Sequence, residues 1–129
     1  MKLVYLSLLM LLQVFSQPAA DTIDRVSDLI SKGNTHEIAK LFADNVDMGI
    51  MADIDTYPKA QAEQMLQKFF TQNKPISGKV LHKVTSSAAY NLGVVSLNTS
   101  NGVFRVSFTL KDNKGVMQLV EVRVEGEKK

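Results

Sequence analysis

The sequence predicts an α+β domain in which helices come first and strands come last. Up to about residue 70, apolar residues recur at the spacing of one helical face. After Pro75 this spacing gives way to alternation of apolar and polar residues, which is typical of strands in a half-buried antiparallel sheet. The length of 129 residues and the hydrophobic share of 45% fit a single domain with its own core.

The first twenty residues have the pattern of a signal peptide. A positive residue, Lys2, precedes an apolar run over residues 3–15. This run is shorter than the roughly 20 residues that a membrane-spanning helix needs, and no second long apolar run follows it. Cleavage after Ser16 or after Ala20 fits the sequence, and no Cys is present to carry a lipid anchor. We therefore expect residues 1–20 to direct export to the periplasm or the outside, with no membrane anchor after cleavage.

The rest of the chain divides into one domain, residues 21–126, and a charged tail, residues 127–129. A first helix is predicted over residues 21–32. It is expected to end at Lys32, because a basic residue in the last turn followed by a glycine is a common helix end. A second helix is predicted to start at Asn34, which has a glutamate three residues later, the spacing of a capping box. Its expected buried stripe is Ile38, Leu41 and Phe42.

A short strand and a third helix are expected next. Apolar residues alternate with polar or small residues over residues 46–50, which predicts a strand, whereas residues 52–57 show no period and are expected to be irregular. Pro58 suits the first position of a helix, because its fixed backbone angle is already helical. The apolar face of this third helix comprises Ala62, Met65, Leu66, Phe69 and Phe70.

Three turn signals divide the chain after Pro75 into four strands. They lie at residues 86–87, 100–102 and 112–115, and each is short and polar. Because short turns join antiparallel neighbours, the sequence predicts a meander of hairpins. The core residues expected between the third helix and this sheet are Phe69, Phe70, Phe104, Phe108 and Val122.

The segment from Tyr57 to Glu63, followed by Phe69-Phe70 and Pro75, resembles a family of small, secreted, uncharacterised bacterial proteins. The order of the elements also resembles the nuclear transport factor 2-like fold, which is also called cystatin-like. This resemblance, over about residues 21–126, implies a cone of three N-terminal helices packed on a curved antiparallel sheet, in the order ααβαββββ. No established activity comes with such a family, so the resemblance implies a fold and not a function.

Composition argues against several classes of partner and cofactor. With 15 Lys and Arg against 13 Asp and Glu, the net charge of +2 is too small to indicate nucleic-acid binding. Without Cys the chain has no disulfide, thiolate metal site or Cys nucleophile. The acidic pairs, Asp44 with Asp47 and Asp53 with Asp55, lack the further ligands of a calcium loop. No phosphate-binding or serine-hydrolase motif occurs, so we expect no metal, no cofactor and no catalytic residues.

The candidate ligand-binding residues are few. His82 shares its strand parity with two valines, which directs it into the cone if these valines belong to the core. Tyr90 and Gln118 lie at strand positions from which their side chains can reach His82. The Tyr57 hydroxyl is placed to donate a hydrogen bond at the same opening of the cone. A His hydrogen-bonded at the rim and a Tyr that anchors a helix start fit the same pattern. Tyr57, His82, Tyr90 and Gln118 are thus the predicted ligand-binding residues.

Two functions from different classes fit this sequence. The first is an exported, non-catalytic module that holds a small apolar ligand in the cone or binds another protein. The alternative is a small isomerase- or dehydratase-type enzyme that uses His82 and Tyr90. Binding is favoured because proton transfer needs an oriented base, and the cone offers few polar groups. The sequence also predicts a weak or moderate homodimer through an apolar patch on the outer sheet face, comprising Val95, Leu97, Met117 and Leu119.

Overall fold

The helices lie in the N-terminal part of the chain. The structure is a computed structural model that describes residues 19–85 and 89–127. Residues 1–18 of the predicted signal peptide lie outside the described residues. The described helices are α1, Ala19–Lys32; α2, Thr35–Ala39; and α3, Lys59–Gln72. Gly33, with a φ of 66°, follows α1 and confirms the predicted glycine stop. None of these three helices is both long and apolar enough to cross a membrane.

Six strands form one sheet within the described part of the chain. They are β1, Phe42–Ile50; β2, Asp53–Pro58; β3, Pro75–Val84; β4, Tyr90–Thr99; β5, Gly102–Asn113; and β6, Val116–Gly126. Their order across the sheet is β2-β1-β6-β5-β4-β3. Neighbours pair antiparallel except β1 and β6, which pair in parallel. The predicted α+β class and the meander of the last four strands are therefore confirmed.

The element order differs from the prediction at one strand. Residues 52–57 were expected to be irregular, but β2 pairs with β1 across a hairpin, which gives the order ααββαββββ. β2 is an edge strand with exposed residues on both faces, so it carries no apolar alternation that would reveal it. The prediction of an all-antiparallel sheet is also wrong. β1 and β6 lie far apart in sequence, and no local pattern reports their parallel pairing.

The second helix is shorter than predicted. Asn34 caps it as expected, since its Oδ1 accepts a hydrogen bond from the backbone N–H of Glu37 at 3.4 Å. The helix ends at Ala39, however, and Phe42 already belongs to β1, where it pairs with Leu119 of β6. Leu41 and Phe42 therefore leave the predicted helical stripe, because pairing with β6 takes over their backbone groups.

The core lies between the helices and one face of the sheet, which we call the inner face. All five predicted core residues, Phe69, Phe70, Phe104, Phe108 and Val122, are at most 9% exposed, which confirms that prediction. The Phe69 ring meets the Phe104 ring edge to face, with 5.0 Å between centroids. The Phe108 ring covers Gly93 so closely that a Cβ at that position would lie 2.3 Å from Phe108 Cζ. A glycine is therefore required in the middle of β4.

A β-bulge in β3 reverses the direction expected for His82. Val80 pairs with Val95 of the inner face, but Leu81 is an extra residue and His82 pairs with Val94. Cross-strand partners point to the same side of a sheet, and a bulge changes the parity by one. His82 therefore points to the opposite, outer face and is exposed to solvent. The prediction that it enters the cone is wrong.

The residues predicted to form an outer apolar patch do not lie there. Val95, Leu97 and Leu119 are all 0% exposed and belong to the core, and Met117 packs partly buried against that core. Their pairing places them on the inner face together with residues such as Val106. The predicted homodimer stays a prediction, but these residues are not available to form it.

Candidate ligand-binding cleft

The structure separates the four predicted ligand-binding residues. Tyr90 and Gln118 both pair with Lys111 on the outer face, and the Lys111 Nζ lies 5.6 Å from the centroid of the Tyr90 ring. His82 pairs with Val94, four residues along β4 from Tyr90, which corresponds to roughly 13 Å. His82 and Tyr90 are thus both solvent-exposed on the outer face and do not form one site.

Tyr57 is the one predicted residue that lies on the inner side. It pairs with the buried Val46 of β1, so its ring faces the helices, and it is partly buried. Its hydroxyl donates a hydrogen bond to Asp53 Oδ1 at 3.1 Å. Burial and then this hydrogen bond to a carboxylate raise the pKa of Tyr57 above its ordinary value of 10.0. The Tyr57 phenol therefore stays protonated and acts as a donor near neutral pH.

A cleft of about 260 Å³ opens between α3 and the β1–β2 hairpin, on the same side as Tyr57. Its floor is apolar, because Phe69 is nearly fully buried there and Ile50 and Met65 are half-buried. Its rim is polar and exposed. The residues that line the cleft are Ile50, Asp53, Met65, Lys68, Phe69 and Gln72.

Local structure explains why these residues meet. Ile50 and Asp53 are direct partners across the β1–β2 hairpin, so both face α3. On α3, Met65 is followed three residues later by Lys68 and seven residues later by Gln72, which places them along one face. Pro58 starts α3 directly after β2, so the helix runs back along the strand that it follows.

The charges at the rim define what the cleft can hold. The Asp53 carboxylate accepts the Tyr57 hydrogen bond, whereas the Lys68 ammonium has no ion-pair partner among the residues that the structure describes. An apolar floor with one unpaired cation at its edge suits a small, mostly apolar molecule with a polar or anionic end. The cleft lies just below the usual size range of ligand pockets, so the molecule must be small or extend beyond it.

A larger groove of about 460 Å³, which shares Lys68 and Gln72 with this cleft, also lies along α3. It is lined only by polar and charged side chains, among them His36, Glu63 and Gln67, and most of these are exposed. Because it has no buried apolar floor, we take the smaller cleft as the candidate site. Within residues 19–85 and 89–127, no group of three or more His, Asp or Glu side chains is arranged to hold a metal ion.

Sequence reasoning found part of this cleft and missed the rest. Met65 and Phe69 were expected on the apolar face of the third helix, and that position is confirmed. Asp53 was considered in an acidic pair with Asp55 and not as part of a cleft, since β2 was not expected and its pairing with Ile50 could not be seen. Lys68 was not among the predicted site residues, although its spacing of three residues from Met65 places it beside the same surface.

Comparison with known proteins gives a family and a fold. A family model described as "Domain of unknown function (DUF4783)" matches residues 23–125. A crystal structure of a DUF4783 family protein from Bacteroides ovatus is 25% identical, covering 88% of this chain and 97% of that chain with a TM-score of 0.77. No curated protein matches the chain.

Two more distant structures show the fold alone. A domain of unknown function with a cystatin-like fold from Nostoc punctiforme is 13% identical, covering 88% of this chain and 81% of that chain, with a TM-score of 0.66. A protein described as "Rd1NTF2_04 with long sheet" is 15% identical, covering 83% of this chain and 99% of that chain, with a TM-score of 0.67. The resemblance inferred from the sequence is thereby confirmed at the level of the fold.

Proposed function

This chain belongs to the DUF4783 family, a domain family of unknown function, and we propose that it is an exported, non-catalytic module that binds a small, mostly apolar ligand. The proposed site is the cleft between α3 and the β1–β2 hairpin. One observation carries the proposal: the cleft combines a floor of Ile50, Met65 and Phe69 with a rim that is polar and solvent-exposed.

The rest of the inner face supports this choice of site. The Phe108 ring fills the space over Gly93, and Phe104 packs on Phe69, so side chains occupy the centre of the cone. A ligand therefore finds apolar surface at the open end of the cone, beside the β1–β2 hairpin. Each methylene group that such a ligand buries contributes about 0.8 kcal/mol, which makes a mostly apolar ligand favourable.

A small enzyme of the isomerase kind is the second candidate, and the hydrogen bond between Tyr57 and Asp53 is the observation that favours it. An acid–base reaction needs a base held against the substrate with water excluded. Asp53 is exposed, and Tyr57 keeps its proton because its pKa is raised. An exposed carboxylate and a protonated phenol are better suited to position a ligand than to transfer a proton, so Tyr57 and Asp53 favour binding.

The binding test uses a fluorescent apolar probe and two tryptophan variants of α3. Met65→Trp fills the cleft and should weaken probe binding about tenfold or more, because the indole occupies the ligand volume. Gln64→Trp adds the same side chain to the neighbouring, larger groove and serves as the matched control. Equal binding by wild type and Met65→Trp would contradict the proposed site. Loss in Gln64→Trp alone would place binding in the other groove.

The enzymatic alternative is tested by turnover. A screen of small carbonyl compounds with wild type and Asp53→Asn should show no conversion by either protein if the module only binds. Conversion that depends on Asp53 would replace the binding proposal with catalysis, since general-base assistance contributes about 10² to 10⁴ in rate.

Export is the part of the proposal that rests on the sequence alone. The positive start and the apolar run over residues 3–15 support a cleaved signal peptide. Mature protein collected from the periplasm or the medium should begin between Gln17 and Thr22, which N-terminal sequencing measures. An exported protein that still begins at Met1 would contradict cleavage.

We also propose weak self-association through the outer sheet face. In place of the buried residues expected there, this face carries Val84 and Tyr90, which are 43% and 50% exposed, beside the half-buried Leu92 and Val94. Such a patch supports modest association at most. Sedimentation velocity at high micromolar concentration should show a dimer that Leu92→Glu dissociates. A wild-type protein that remains monomeric there would rule this association out.

A further inference from the structure

The turn that joins β1 to β2 has an unusual residue at its tip. Ile50 and Asp53 pair across the hairpin, so Met51 and Ala52 form a two-residue turn. Met51 has a φ of 57°, in the left-handed region that such turns usually give to Gly or Asn. A side chain there is strained, because its Cβ approaches the next carbonyl oxygen. Met51 is also 53% exposed, so burial in the core does not explain why a methionine occupies this position.

Met51 lies next to the cleft, because Ile50 and Asp53 on either side of its turn both line the cleft. Its backbone N–H donates to the Val124 carbonyl at 2.9 Å, which holds the tip against β6. The Met51 Cε lies 3.6 Å from the position that a Cβ atom would occupy if Gly126 had a side chain. Gly126 pairs with Phe104, so that space belongs to the inner face. The Phe104 ring in turn contacts Phe69 of the cleft floor. Apolar contacts therefore connect the cleft floor, through the buried Phe104, to the neighbourhood of the Met51 thioether.

We propose that Met51 is a ligand-contact residue that extends the cleft and selects acyl-chain amphiphiles longer than the cleft itself. This inference rests on the proposed function. The cleft volume of about 260 Å³ corresponds to roughly eight groups of the size of water or methylene, at about 30 Å³ each. A chain of more than about eight carbons must leave the cleft, and Met51 is the flexible apolar side chain that follows the lining residue Ile50.

The charge at the rim fits the head group of such a ligand. Lys68 is exposed and has no ion-pair partner within the described part of the chain, so it is free to meet a carboxylate. The Asp53 carboxylate shares the rim and repels an anion, so the head group is expected at Lys68 and away from Asp53. A fatty carboxylate therefore has a contact for each of its two ends.

The test compares octanoate with dodecanoate as competitors for the fluorescent probe. Met51→Gly should leave the octanoate affinity within twofold of wild type and weaken dodecanoate about fivefold, because only the longer chain loses apolar contact. Lys114→Gly is the matched control, since Lys114 has a φ of 54° in the distant β5–β6 turn. Both glycine variants should raise the unfolding midpoint, because both relieve the same backbone strain.

The outcomes separate this inference from the proposed function. If Met51→Gly binds dodecanoate as well as wild type does, while Met65→Trp still blocks the probe, the contact role of Met51 is wrong and the cleft remains the site. Equal weakening of both carboxylates would also overturn the proposed chain-length selection. If neither carboxylate nor the probe binds wild type, the proposed function itself fails.

Discussion

The packing of Phe108 on Gly93 predicts that Gly93→Ala destabilises the wild-type protein but stabilises a Phe108→Ala variant. In the wild type, Gly93→Ala places a methyl group 2.3 Å from Phe108 Cζ and 2.8 Å from two further ring atoms. Phe108 is 0% exposed and buried on the inner face, so its ring has little room to move. In a Phe108→Ala background the same methyl group enters the space that the ring has left.

The expected magnitudes follow from these contacts. Gly93→Ala alone should cost about 1 to 3 kcal/mol, as overpacking of a core does. Phe108→Ala alone should cost about 3 to 5 kcal/mol, because a glycine below the ring offers no side chain to fill the cavity. In the double variant, the methyl group should restore about 1 to 2 kcal/mol through burial and a stiffer strand. The coupling between the two positions, which is the difference between these two effects of Gly93→Ala, should therefore be about 2 to 5 kcal/mol.

Denaturant melts of the four proteins measure this coupling as a double-mutant cycle. Phe108→Leu replaces Phe108→Ala if the latter does not fold, since it leaves a smaller cavity. Gly126→Ala is the control, because its Cβ would make only an ordinary contact of 3.6 Å with Met51. If Gly93→Ala destabilises both backgrounds equally, the ring does not lie over Gly93 and the strand phases described here are wrong.

Three further results are expected. Asn91→Leu should stabilise the protein by about 1 to 3 kcal/mol in melts, because Asn91 is 2% exposed and neither amide atom has a hydrogen-bond partner among the residues that the structure describes; a loss of stability would contradict this. Asp53→Asn should lower the pKa of Tyr57 in an ultraviolet titration assigned with Tyr57→Phe. Since the folded-state pKa is raised, the stability that Tyr57 contributes is present below its unfolded value near 10 and is lost as pH rises through the folded value. His82→Ala should change probe affinity less than twofold, because His82 is exposed on the outer face.

Local patterns predicted the last four strands and the core. Turns at residues 100–102 and 112–115 were visible as short polar segments, and they end β4 and β5 where expected. Alternation placed Phe104 and Phe108 on the buried face, since one face of an antiparallel sheet excludes water. In these strands the local sequence and the tertiary packing impose the same period, so the sequence alone was sufficient to predict the strands and their buried residues.

The misplaced features depend on contacts that are distant in sequence. The bulge at Leu81 has no signal of its own, because any residue can be the extra one, and yet it turns His82 from the inner to the outer face. β2 is held by pairing with β1 and not by an apolar face, so its residues looked irregular. The candidate cleft depends on this strand, because Asp53 belongs to it, and for this reason Asp53 was not predicted as part of a binding site.

The central claim, that this protein binds an apolar molecule in the cleft without converting it, is tested most directly by native mass spectrometry. Wild type and Met65→Trp are exported, purified from the same host without detergent, and released into the spectrometer in the folded state. We expect wild type to carry a bound organic molecule that is released with its mass unchanged, and we expect Met65→Trp to lack it. A wild-type protein free of any ligand, or a ligand retained equally by Met65→Trp, would contradict the account.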